Sequence, residues 1–159
     1  MKSIRFFLFA VLLTASHAAS AETVDGNGAL ALAALVGENS PLVSAPEKSV
    51  LAKLLDGQTS VSFPAGQTIS VVTAKLTCRA SNVDITSHSC ELAFGSKNVP
   101  LAGRRAHELF ATLAEVGIPP DGAAGSVFEA IAKLDCKIDP NEVKQASGGG
   151  THCQYALPD

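Results

Sequence analysis

The side chains through which this chain could act are few: four cysteines, three histidines beyond the N-terminal stretch, and scattered carboxylates. The cysteines form two close-spaced pairs, Cys78 with Cys90 and Cys136 with Cys153. A histidine stands beside the second member of each pair, His88 two residues before Cys90 and His152 directly before Cys153. Reduced, these side chains would be nitrogen and sulfur donors for zinc or copper. Oxidised, they make two disulfides and leave the histidines as polar residues at loop ends, which is the expectation in an oxidising compartment. The reading therefore assigns no metal and no cofactor. His107, among Arg104, Arg105 and Glu108, reads as part of a solvated helix face.

The candidate acids and bases are Asp84 in the first cysteine loop and Asp135, Asp139 and Glu142 around the second. No spacing pairs them, and a general acid needs a cleft to move its pKa. Neither G-x-S-x-G nor S-x-x-K occurs. Gly122-Ala123-Ala124-Gly125-Ser126 has the outline of a phosphate loop. It lacks the lysine after its last glycine, and a strand rather than a helix is expected behind it, so it reads as a turn. No catalytic residue is assigned, and the chain reads as non-enzymatic.

The two cysteine-bracketed loops remain. Residues 80–89 carry Asn82, Val83, Asp84, Ile85 and His88, and residues 139–152 end in a glycine-rich run before His152. A loop clamped by a disulfide at its base has less ordering entropy to lose on binding. Asn82, Val83, Asp84, Ile85, His88 and His152 are thus the candidate contacts, with another exported or envelope protein as the expected partner. The alternative is a small periplasmic hydrolase or ligand carrier with a pocket between helices and sheet.

The compartment follows from the first residues. Lys2 and Arg5 precede the apolar run Phe6–Leu13, and Ala19-Ser20-Ala21 is an A-x-A site before Glu22. This is the pattern of an export signal over residues 1–21, cleaved after Ala21, for a periplasmic or secreted protein. Its apolar core is too short to span a bilayer, so no membrane span is expected after cleavage. Cleavage would leave ten Lys/Arg against fifteen Asp/Glu, a balance that argues against nucleic-acid binding.

Stepping from these residues to the elements that hold them, the chain repeats itself. Ala74-Lys75-Leu76-Thr77-Cys78-Arg79 and Ala132-Lys133-Leu134-Asp135-Cys136-Lys137 share A-K-L-x-C-[RK]. Each is followed by a loop, a second cysteine and a short apolar strand, which suggests duplication. Ahead of the first, Ser44-Ala45-Pro46-Glu47 is a capping box, with Val50, Leu51, Leu54 and Leu55 at helical spacing and Gly57 as C-cap. Ahead of the second, a helix is expected from near Leu101 to Val116, closed by Gly117. Val72, Ala74, Leu76 and Cys78 alternate as one strand face; Phe128, Ala130, Ala132, Leu134, Cys136 and Ile138 form another, with Ile131 on its wet side. Cross-strand neighbours must share a face, so the expected disulfides are Cys78–Cys90 and Cys136–Cys153.

The predicted fold is α+β: tandem helix–β-hairpin units over 44–95 and 96–159, forming one domain. Two helices lie on one face of a four-stranded antiparallel sheet, with one disulfide per unit. Residues 22–43 form an extension carrying a short buried helix at Ala29–Val36, and Thr59–Phe63 is a possible short strand. This architecture resembles the tandem-repeat β-lactamase inhibitory proteins, exported proteins with helical pieces, an antiparallel sheet and a disulfide per repeat. The resemblance implies an inhibitor-like binding module and carries over no residue. Aromatic anchors are scarce here, with one tyrosine and no tryptophan.

Overall fold

A computed structural model describes residues 21–79, 87–118, 127–143 and 147–158. The export signal, apart from Ala21, and the loop residues Asn82, Val83, Asp84 and Ile85 lie outside these. The element order is β1 (Ala21–Asp25), α1 (Gly26–Asn39), α2 (Ala45–Leu55), β2 (Ile69–Thr73), β3 (Lys75–Arg79), β4 (Ser89–Phe94), β5 (Lys97–Ala102), α3 (Arg104–Glu115), β6 (Val127–Ile131), β7 (Lys133–Ile138) and β8 (Thr151–Ala156).

The α+β class holds, but the strands form two antiparallel four-stranded sheets rather than one. Sheet I runs β1-β8-β7-β2 and sheet II runs β5-β4-β3-β6. They are joined because β2–β3 and β6–β7 are two long strands that pass from one sheet to the other. These pair with each other along their whole length, from Ile69 opposite Ile138 to Arg79 opposite Val127. Each strand breaks at an alanine, Ala74 or Ala132, whose N–H turns to the carbonyl of Ala93 or Ala156.

That break corrects the expected strand faces. In β2 the odd residues Ile69, Val71 and Thr73 are buried, whereas in β3 the even residues Leu76 and Cys78 are. Val72 is 39% exposed, not part of the core face. A residue outside the ladder shifts a period-two pattern by one and flips every following side chain. Crossing from one sheet to the other requires such a flip if both halves are to face the helices. The same crossing buries Ile131 completely. At the matching position Thr73 is equally buried, and its hydroxyl donates to the carbonyls of Ala93 at 2.6 Å and Lys75 at 3.0 Å.

Among the described residues three helices, rather than two, cover the inner faces; the additional one, α1, lies where the sequence suggested a short buried helix at Ala29–Val36. α2 forms as its capping box dictates, with Ser44 and Glu47 satisfying each other's backbone amides. It packs on α1, where a Cβ on Gly37 would lie 2.6 Å from Leu51 Cδ1 and 3.0 Å from Val71 Cγ2, so only glycine admits this approach. α1 is apolar nearly all round because sheet I, α2 and α3 enclose it. α3 is amphipathic, burying Ala106, Leu109, Thr112 and Leu113 against sheet II and α1. It starts at Arg104, because Leu101 belongs to β5.

The two halves interleave: β1 pairs with β8, and β5 with β4. The helix that corresponds to α3 is therefore α1. Each follows a strand beside a second-cysteine strand, each is entered through a positive-φ glycine (Gly26, Gly103), and each lies over a disulfide. Cys153 Sγ sits 3.6 Å from the Ala29 carbonyl oxygen and Cys90 Sγ 3.9 Å from that of Ala106. Among the described residues α2 has no counterpart in the second half. Thr59–Phe63 forms no regular strand.

Candidate functional site

Both disulfides form as expected, Cys78–Cys90 and Cys136–Cys153, each joining directly opposed residues with Cα atoms 4.0 Å apart. All four sulfurs lie in the core. The loops they bracket do not share a rim. The first leaves β3 at Arg79 and the second leaves β7 at Ile138, and these residues mark opposite ends of the antiparallel ribbon. At about 3.3 Å per residue those ends are up to roughly 30 Å apart.

The end of sheet I is where described polar residues converge. Lys137 on β7, His152 on β8 and Asp25 on β1 occupy one row across three paired strands. Asp25 Oδ1 accepts a hydrogen bond from His152 Nδ1. Beyond this row the chain turns through Asp139–Glu142. The Asp139 N–H donates to the Gly150 carbonyl at 2.8 Å, and Asp139 Oδ1 accepts the Asn141 N–H at 2.9 Å. The glycine-rich segment then folds back over the start of α1. A Cβ on Gly148 would collide with Gly26 and Asn27 backbone, and one on Gly26 would lie 2.8 Å from the Ser147 carbonyl oxygen. These glycines are required by close approach as well as by positive φ.

The result is a shallow depression of about 700 Å³ whose polar lining includes Asp25, Lys137, Asp139, Glu142, Ser147 and His152. The carboxylate on Nδ1 fixes the His152 tautomer and presents Nε2 outward as an acceptor. Among the described residues no hydroxyl is hydrogen-bonded to that nitrogen. At the inner side, Thr151 is 4% exposed and its hydroxyl has no hydrogen-bond partner. Further along β8, Tyr155 donates to Glu22 Oε2 at 2.7 Å. Burial, and then the Glu22 carboxylate, push its phenol up to about 12.

The structure brings His152, Asp139 and Glu142 together and keeps His88 apart. His88 lies at the end of sheet II, 7% exposed, with its ring against His107 and Phe110. His107 is half-buried there rather than on a solvated face. On the outer face of α3, Glu108 accepts from Arg104 Nε at 2.8 Å and Arg105 Nη1 at 3.1 Å. Its carboxyl is held below the ordinary range chiefly by the Arg104 hydrogen bond. Asp135 faces outward from β7 opposite Gln154. Asp84 falls outside the described residues.

Sequence reasoning missed Asp25, Lys137 and Ser147. The usable signal was Val24-Asp25-Gly26 before α1, which matches Leu101-Ala102-Gly103 before α3 and marks a strand ahead of each helix. Compared with known protein families, characterised proteins and solved structures, this chain matches none.

Proposed function

We propose that this chain is an exported, non-enzymatic protein-binding module that engages a partner through its disulfide-based loops. Export is supported by two disulfides, by the leader pattern, and by the absence among the described residues of a helix long and apolar enough to cross a membrane. The similar course of the halves, with matched glycines, disulfides and helices, favours an origin by duplication.

One observation carries the binding reading: the segment from Asp139 to Gly150 is fastened at its base by Cys136–Cys153 and seated on α1 by Gly26 and Gly148. A loop held at these points has less entropy to lose on docking. The alternative needs a pocket between helices and sheet; among the described residues Leu32, Val36, Leu109, Leu113 and Leu134 fill that interface and are fully buried. Because the loops lie at opposite ends, each end is a separate surface, and the sheet I end is the one argued here.

The test is capture by the immobilised disulfide-bonded protein from envelope extract and culture supernatant. Three baits would be compared: the parent, Glu142→Lys/Ser147→Arg at the sheet I end, and Val83→Asp/Ile85→Asp in the first loop. A stoichiometric partner lost with the Glu142/Ser147 bait supports the assignment. Loss only with the Val83/Ile85 bait moves the surface to the other end, and no partner defeats the reading.

The Asp25–His152 pair favours one second reading. A carboxylate on Nδ1 is the orienting half of a general-base pair, and Ser147 lines the same depression. Hydrolysis of an activated ester that is abolished by both Asp25→Asn and His152→Gln would establish it. A rate indifferent to both would dismiss it.

A further inference from the structure

His88 and His107 are brought together from separate elements. The His88 carbonyl accepts the Gly103 N–H at 2.9 Å, which ties the residue to the start of α3. His107 stands one turn into that helix, and Phe110 beyond it puts its ring 5.3 Å from that of His88. The two Nδ1 atoms are 3.3 Å apart, with ring centres 5.1 Å apart and planes inclined by 46°.

These distances limit how the two rings can meet. If the rings met head-on in a hydrogen bond, their centres would be about 5.5 Å apart, since each nitrogen lies about 1.1 Å from its ring centre and the contact itself is long. The observed 5.1 Å is shorter, so at least one ring axis leaves the line between the nitrogens. If both axes bend equally and to the same side, they meet about 2.0 Å from each Nδ1, the length of a zinc–imidazole bond. Two nitrogens held at that length and at the tetrahedral angle are about 3.3 Å apart.

We infer that His88 and His107 form a binding site for a divalent transition metal of the kind imidazole favours, Zn²⁺ or Cu²⁺. Both ligands are Nδ1 atoms, and Phe110 supplies an apolar wall. The neighbouring cysteines are oxidised and offer no thiolate. Among the described residues no group of three or more His, Cys, Asp or Glu side chains could hold a metal. The described residues thus supply two ligands, with the remaining positions open to water or a further donor. Structural zinc sites use four protein ligands, so this is a site for exchangeable metal. It is independent of the loop-binding reading.

The experiment titrates the disulfide-bonded protein with Zn²⁺ by calorimetry and with Cu²⁺ by electron paramagnetic resonance. The parent should bind one equivalent, with splitting from two nitrogens in the copper spectrum. His107→Gln, on a half-buried helix position, should weaken binding roughly tenfold or more while circular dichroism stays unchanged. His88→Gln should do the same, and His152→Gln should leave the site intact. Binding no tighter than that of the His88→Gln/His107→Gln double variant would overturn the proposal. So would a loss that follows His152→Gln and spares His107→Gln.

Discussion

At the loop end of sheet II, the position two residues before the second cysteine holds a buried histidine, stacked near His107 and Phe110 from α3. At the same position in sheet I stands Thr151, and the α1 positions equivalent to His107 and Phe110, counted from Gly26 and Gly103, are Leu30 and Ala33, both buried. The outer rows differ in the opposite sense. Sheet I presents Lys137, His152 and Asp25 beneath a glycine-rich loop, where sheet II has Arg79, Ser89 and Ala102. One scaffold thus keeps its imidazoles inside at one end and outside at the other. The shared elements are those that fold the chain: helix, disulfide and the alanine break. The differing ones are polar residues that folding does not require, which is where function is most readily placed.

The largest test of that equivalence removes the disulfides one at a time. By the chain-entropy account, loops closed by separations of 12 and 17 residues contribute about 3 kcal/mol each and differ by only about 0.3 kcal/mol. Cys78→Ala/Cys90→Ala and Cys136→Ala/Cys153→Ala should therefore lower the urea-unfolding free energy almost equally. A gap above about 1 kcal/mol would show that the halves are not energetically alike.

The helix-entry glycines sharpen the comparison. Gly103 has φ 58° and no described atom within 4 Å of an added Cβ, so Gly103→Ala should cost about 1–3 kcal/mol of backbone strain. Gly26→Ala adds the contact with the Ser147 carbonyl and should cost about 1 kcal/mol more. Thermal unfolding of the two variants side by side reads the difference. Equal losses would mean that the glycine-rich loop does not rest on α1.

A smaller effect belongs to sheet I alone. Tyr155 occupies the place that Leu92 holds in sheet II. A free phenol ionises near 10 and this one is pushed up to about 12, so the folded protein keeps a proton that the unfolded chain releases. Stability from this source is complete below pH 10 and is lost as pH rises from about 10 to 12. It is the chain's only tyrosine, so phenolate absorbance follows it directly. Tyr155→Phe should remove that alkaline slope.

The smallest effect is on α3. The Glu108 carboxyl is held low by Arg104, so its contribution is present at neutral pH and fades as pH falls through its depressed range. The arginine partners are well exposed, and Glu108→Gln should cost only about 0.5 kcal/mol at neutral pH and nothing in acid.

How much was legible depends on the range of the signal. The α2 cap was readable because neighbours along the chain decide it, and the cysteine pairing and the strand at Val127–Ile131 because the repeated A-K-L-x-C-[RK] motif aligns them with the first half. In the candidate site, His152, Asp139 and Glu142 were found on the loop itself. Asp25 was not, because it reaches His152 only through the pairing of β1 with β8, across most of the chain. His107 looked solvated because its helix face is otherwise charged; contact with His88 half-buries it.

By itself the sequence determined the period-two alternation of β3 and β7, the cap of α2, the even cysteine count and the matched motifs that led to both disulfides, since propensity, capping and cross-strand geometry act over a few residues. Only the tertiary structure decided that the halves exchange strands and that the faces flip at Ala74. It also decided that α1 rather than α2 corresponds to α3, and that the loops sit at opposite ends. Those outcomes come from burying two sheets and three helices in one core. Several strand orders satisfy the same local pattern, and the choice among them is made by contacts between residues far apart in the chain.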